Sequence, residues 1–179
     1  MKEHSPSRRR YLKLIVINII LAALVAMLIT TYVVSAYRVR GDSMYPVLLN
    51  KERILVSKIA VKRGAIKRHD IVVLYKPYDE GKSIIKRVVG LPNEIIEIKS
   101  GDLYINHKKV PEPYISRENR LGANINMGAI KIRDKHYFVM GDNRSISVDS
   151  RSFGAVPGNY IFGKAIFRYW PLSRLGKIR

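Results

Sequence analysis

From Leu14 to Ala36 the chain reads LIVINIILAALVAMLITTYVVSA, a run without one charged residue. As a helix rising ~1.5 Å per residue, such a run crosses the ~30 Å hydrocarbon layer of a bilayer. A helix on the surface of a soluble domain would need a polar stripe, and this run has almost no polar residue to supply one. Val34-Ser35-Ala36 does offer the small residues a leader-peptide cleavage site wants. The apolar core of a leader spans only ~7 to 15 residues, however, and this run is longer. The expectation is a retained transmembrane anchor over 14–36, behind a basic cytoplasmic segment over 1–13. Arg8, Arg9, Arg10 and Lys13 before the run outnumber Arg38 and Arg40 close behind it, which favours a cytoplasmic N-terminus. Residues 37–179 would then lie outside, in a single domain of ~140 residues with its own core.

Cysteine is absent from the 179 residues, which excludes disulfides and a thiolate nucleophile. His4, His69, His107 and His136 show no ligand spacing of the H-E-x-x-H kind, so no metal is expected, and no cofactor. Thirty-three Lys and Arg against 14 Asp and Glu give a net charge of +19, which calls for an anionic partner. Beside a membrane span that partner is the anionic lipid head group, and not nucleic acid, because the cations lack aromatic interleaving or a nucleic-acid motif.

Beyond Tyr37, short apolar runs alternate with turn-forming residues, and none carries a sustained 3.6-residue period, so the domain is expected to be mainly β. Strands are expected at Arg53–Lys58, Ile71–Tyr75, Ser83–Val89, Ile95–Lys99, Leu103–Ile105, Tyr137–Met140 and Phe162–Tyr169. The polar stretch from Pro111 to Gly128 reads as an irregular excursion.

Three segments hold the side chains that chemistry would use. Gly41-Asp42-Ser43-Met44-Tyr45-Pro46 sets a serine between a flexible and a proline-fixed residue, able to present hydroxyl and N–H together, although an ordinary turn would look the same. In Ser83–Glu94, strand alternation places Lys86 on a face with Ile84 and Val88, and Arg87 on the other with Ile85 and Val89. Burial of the Lys86 face would lower the amine pKa toward that of a base, whereas an exposed edge would leave an ordinary solvated lysine. Gly141–Gly154 brings Ser147, Asp149 and Arg151 to one side if extended, giving a hydroxyl beside an ion pair, or else forms a solvated turn.

Taken together and in this order behind a membrane span, the segments resemble the bacterial type I signal peptidases. Ser43-Met44-x-Pro46, Lys86-Arg87-Val88-x-Gly90-Leu91-Pro92 and Gly141-Asp142-Asn143-Arg144-x-x-Ser147-x-Asp149-Ser150-Arg151 match the family's patterns, and the likeness spans nearly the whole chain. It is strongest to the short Gram-positive members. The resemblance implies an antiparallel β-sheet peptidase domain over 37–179, with a smaller β region inserted at about 94–134. It implies a serine endopeptidase that removes signal peptides with small residues at −1 and −3 from exported preproteins, with the translocation pore a candidate neighbour. Carried over, the roles are Ser43 as nucleophile and, through its backbone N–H, oxyanion donor, and Lys86 as general base. Ser147 would orient the amine, with Asp142, Asn143, Arg144, Asp149 and Arg151 supporting the site.

The sequence departs from that pattern in four places. Gly41 stands where some members carry a serine whose hydroxyl is a second oxyanion donor, Val47 replaces a threonine, Asn93-Glu94 replaces Gly-Asp, and Ile146 replaces a polar residue. The alternatives are a self-cleaving Ser/Lys protease of the repressor type and a catalytically silent, membrane-tethered peptide-binding module. The span argues against the first, and retention of both Ser43 and Lys86 against the second.

Overall fold

The structure is a computed structural model and describes residues 8–62, 66–79, 81–116, 119 and 125–178. The N-terminal helix α1, Arg8–Leu28, is followed by a π-helical turn, Ile29–Val33. By length and composition Arg10–Val33 could cross a membrane, and none of it is buried against the protein. Of the basic segment expected over 1–13, residues 1–7 lie outside the described residues. Val34, Ser35 and Ala36, expected at the end of the span, instead open strand β1, Val34–Arg38. All five residues of β1 pair with β2, Arg53–Ser57, from Val34 against Ser57 to Arg38 against Arg53. At the junction the Lys58 ammonium donates to the Thr31 carbonyl (2.8 Å), a cation set where the helix carbonyls run out. The helix therefore passes into the sheet with no linker between them.

The remaining strands are β3 (Ile71–Tyr75), β4 (Ser83–Gly90), β5 (Ile95–Lys99), β6 (Asp102–Ile105), β7 (Lys108–Lys109), β8 (Met127–Lys131), β9 (His136–Met140), β10 (Val156–Pro157), β11 (Ile161–Trp170) and β12 (Gly176–Lys177). All pairings are antiparallel. The main sheet runs β1-β2-β11-β3-β4-β9-β10, with β12 on β11, and a four-stranded sheet runs β7-β6-β5-β8. The smaller sheet is inserted between β4 and β9. Expected strands Ile71–Tyr75 and Ile95–Lys99 keep their bounds, four others shift by one residue at one end, and Phe162–Tyr169 is extended by one residue at each end to Ile161–Trp170. The excursion expected over Pro111–Gly128 ends in strand, since Met127 and Gly128 open β8; residues 117, 118 and 120–124 within it lie outside the described residues.

Side-chain alternation sends the strands into separate apolar clusters. Ile71, Val73 and Ile85 join Val39, Met44, Leu48, Ile54 and Val56. Val72, Leu74, Ile84 and Val88 join Val139, Val156 and Ile161. A third cluster, including Val89, Ile96, Leu103, Ile132 and Phe138, joins the two sheets. Met44 and Leu48 are fully buried and fix the segment that carries Ser43 against the first cluster.

Candidate active site

Ser43 sits in the bend after β1. Its neighbour Met44 is held in the core, and the following carbonyls are held from below. Arg168 donates to the Val47 carbonyl (2.9 Å) and Arg174 to that of Pro46 (3.2 Å). Both arginines also pair with the buried Glu52, at 3.2 and 2.7 Å. Nothing in the local pattern of Glu52, Arg168 or Arg174 marked them, because the pairing joins residues more than a hundred positions apart.

From the middle of β4, Lys86 brings Nζ to 2.8 Å from Ser43 Oγ. Lys86 is only 3% exposed. Burial, with some repulsion from Arg151, lowers its pKa from 10.5 to about 8 against the pull of Asp149 and Asp142. A hydroxyl and a desolvated amine in hydrogen-bond contact can pass a proton between them near neutral pH. The burial condition left open for the Lys86 face is thus met.

Arg87 leads elsewhere. Its Nε and Nη2 donate to the two oxygens of Asp142 at 2.8 and 2.7 Å, and Nη1 donates to the His69 carbonyl at 2.8 Å. The Tyr114 ring lies 4.0 Å beneath the guanidinium. His69 packs on the same ring, and burial together with the charges of Arg87 and Arg68 lowers its pKa.

The loop after β9 closes the site. Asn143 N–H donates to the Ser43 carbonyl (3.0 Å) and Gly141 N–H to Asp149 (3.0 Å). Arg151 grips both oxygens of Asp149 at 2.8 Å and reaches the Ser147 carbonyl at 3.2 Å. Burial works against the Asp149 carboxylate, but Arg151 and the Gly141 N–H outweigh it and hold its pKa below the usual value. Gly141 is glycine for want of space, since a Cβ there would collide with Ser147 Oγ and the Ser43 carbonyl oxygen. The Ser147 hydroxyl is buried beside this contact, near enough to favour the Asp149 carboxylate, and completes no hydrogen bond among the described residues. It does not bond to Lys86 in this structure. Glu112 and Tyr114 also belong to this floor, although their stretch reads in sequence as an irregular excursion from the core sheet. The sole sequence signal was scarcity, since Glu112 is one of 14 acids facing 33 cations.

A groove of about 470 Å3 opens over Ser43 and Lys86, walled by residues 36–41 on one side and 81–86 on the other. Among the described residues, both walls include strand edges with no paired neighbour. β1 ends the sheet, and β9 pairs with β4 only from Arg87 onward, leaving Ser83–Lys86 bonded to β3 alone. No cluster of His, Asp or Glu suited to a metal occurs among the described residues.

The family model described as "Signal peptidase, peptidase S26" matches residues 8–170. This chain belongs to that family. It is 36% identical to Signal peptidase I S of Bacillus subtilis, over 99% of both chains. It is 33% identical to Signal peptidase IB of Staphylococcus aureus, over 88% of this chain and 89% of that one. A crystal structure of a signal peptidase I from Enterococcus faecalis aligns with 55% of this chain and 95% of its own, at 32% identity and a TM-score of 0.49. As a signal peptidase the chain keeps its departures in permissive places. Asn93 adopts a φ of 68°, which asparagine tolerates better than other non-glycine residues. Gly41 has a φ of 79° and open space on the side where a Cβ would stand, so a side chain there would meet backbone strain and not a clash. Val47 packs against the first apolar cluster, and Ile146 is exposed.

Proposed function

We propose that this signal peptidase is a membrane-anchored serine endopeptidase that removes signal peptides from exported preproteins, with Ser43 as nucleophile and Lys86 as general base. The observation that carries the reading is the 2.8 Å contact between Ser43 Oγ and a buried Lys86 amine whose pKa is lowered to about 8. In its neutral form Lys86 takes the Ser43 proton as Oγ attacks the scissile carbonyl. The Ser43 N–H receives the oxyanion. The ammonium then gives its proton to the departing amine, which is the new N-terminus of the mature protein. Lys86 next deprotonates the water that releases the signal peptide from Ser43. Ser147 orients the amine during turnover, while Asp142, Asn143, Arg144, Asp149 and Arg151 keep the surrounding loop in place.

The preprotein lies extended in the groove as an added strand between 36–41 and 81–86, where main-chain hydrogen bonds set the register and shallow walls admit small side chains at −1 and −3. The anchor, with residues 1–13 in the cytoplasm, holds the domain on the outer face, where its positive charge meets anionic head groups and where exported chains leave the translocation pore.

The test is incubation of the full-length protein in detergent with a synthetic preprotein carrying an Ala-x-Ala site, followed by mass spectrometry of the products. Wild type is expected to cut after the second alanine and Ser43→Ala not at all. Wild-type turnover by folded Ser43→Ala would contradict the assignment.

A further inference from the structure

After the smaller sheet has formed β7, the chain turns back beneath the loop that carries Asp142 and Arg144. Glu112 is 2% exposed there. Its carboxylate receives Nη1 of Arg144 at 3.1 Å, Nη2 of the same side chain, and the Tyr114 hydroxyl at 2.9 Å. Arg144 in turn donates Nε to the Gly141 carbonyl at 3.0 Å. Gly141 is the residue with no room for a Cβ between Ser147 Oγ and the Ser43 carbonyl, and Asn143, inside the same turn, donates its N–H to that carbonyl. Glu112 thereby holds the start of the turn through Arg144. Through Tyr114 it also reaches the Arg87 guanidinium, which grips Asp142.

A buried carboxylate and guanidinium lose much of their mutual attraction to desolvation, so the pair's net contribution to stability is small for two buried charges. The fixed fork geometry of the pair is what an apolar pair cannot supply. We propose that Glu112 is a positioning residue, supplied by the inserted β region, that sets the Gly141–Arg144 turn against Ser43 and so maintains the Ser43–Lys86 contact. This rests on the Ser/Lys reading of the site. The smaller sheet then serves catalysis at a distance: it delivers one carboxylate to the underside of the site loop.

The experiment compares full-length wild type, Ser43→Ala, Glu112→Gln and the double variant Glu112→Met/Arg144→Met, scoring kcat, KM and the pH dependence of kcat per folded molecule on one preprotein. Glu112→Gln is expected to lower kcat on the order of 10-fold while KM stays within about two-fold, because a misplaced turn disturbs geometry and not substrate binding. The rising limb of its pH profile should move to higher pH as water reaches Lys86. The double variant leaves no charge buried without its partner and should fold, yet be equally slow. A purely structural Glu112 would leave kcat and the pH limb of the folded variants at wild-type values, which would overturn the proposal. If Glu112→Gln does not fold, the double variant decides: low kcat supports positioning and wild-type kcat refutes it. Inactive wild type, or active Ser43→Ala, would instead refute the Ser/Lys reading itself.

Discussion

Lys86 and Arg87 are adjacent on β4, both cationic in water and both buried, at 3% and 1% exposure, yet the fold treats them oppositely. Arg87 is given a two-pronged carboxylate, a backbone carbonyl and an aromatic face. Lys86 is given a hydroxyl, with Asp149 and Asp142 acting only from a distance. A buried cation that is fully partnered becomes architecture. One that is buried with a neutral hydroxyl as its hydrogen-bond partner among the described residues gives up its proton more easily, because its charged form is the one burial penalises, and this is what the proposed base role requires. The same strand alternation that separates the apolar clusters also separates these two fates.

The largest expected effect comes from abolishing the under-partnered amine. Lys86→Met should lower kcat by at least about 1,000-fold, and Lys86→Arg should do the same because a guanidinium stays protonated in proteins. Stability should move the other way. With a folded pKa of about 8 against 10.5 when unfolded, burial of the charged amine costs the fold up to about 3 kcal/mol below pH 8, and the cost fades as pH rises toward 10.5. Lys86→Met removes that cost, so denaturant titrations at pH 7 should show the variant no less stable than wild type, with the gap closing by pH 10.5.

Breaking the fully partnered neighbour should have the reverse signature. Arg87→Met leaves Asp142 buried and unpaired and should destabilise the domain by about 3–5 kcal/mol, while Arg87→Met/Asp142→Leu recovers most of that in the same titrations. A smaller effect is expected at Ser147, whose hydroxyl completes no hydrogen bond among the described residues: Ser147→Ala should lower kcat on the order of 10-fold with little change in KM, measured on the same preprotein. The smallest is a control. His107 is exposed in the turn between β6 and β7 of the smaller sheet, so His107→Gln should leave kcat unchanged.

Much of this contrast could be read from local pattern. Alternation along Ser83–Val89 put Lys86 and Arg87 on opposite faces, and turn residues bounded most strands of both sheets. The pattern failed where neighbouring chemistry hid it. β1 follows the span without a polar break, so the period of two in Val34–Arg38 was lost in continuous apolar sequence. Met127–Lys131 contains Gly and Ala and is largely exposed, and thus lacks the alternation of a half-buried strand. The site floor was legible where its residues are close in sequence, as in the Asp149–Arg151 pair. Glu112 with Arg144, 32 positions apart, and Glu52 with Arg174, 122 apart, depend on topology that no local window contains.

The most direct test of the central claim follows the titration of Lys86 itself. In full-length protein labelled with 13C at the lysine side chains and held in detergent micelles, one lysine resonance should titrate with a midpoint near pH 8 and vanish in Lys86→Met. If every lysine, Lys86 included, titrates near the ordinary value of about 10.4, the amine is not poised as a base and the account of the site is wrong.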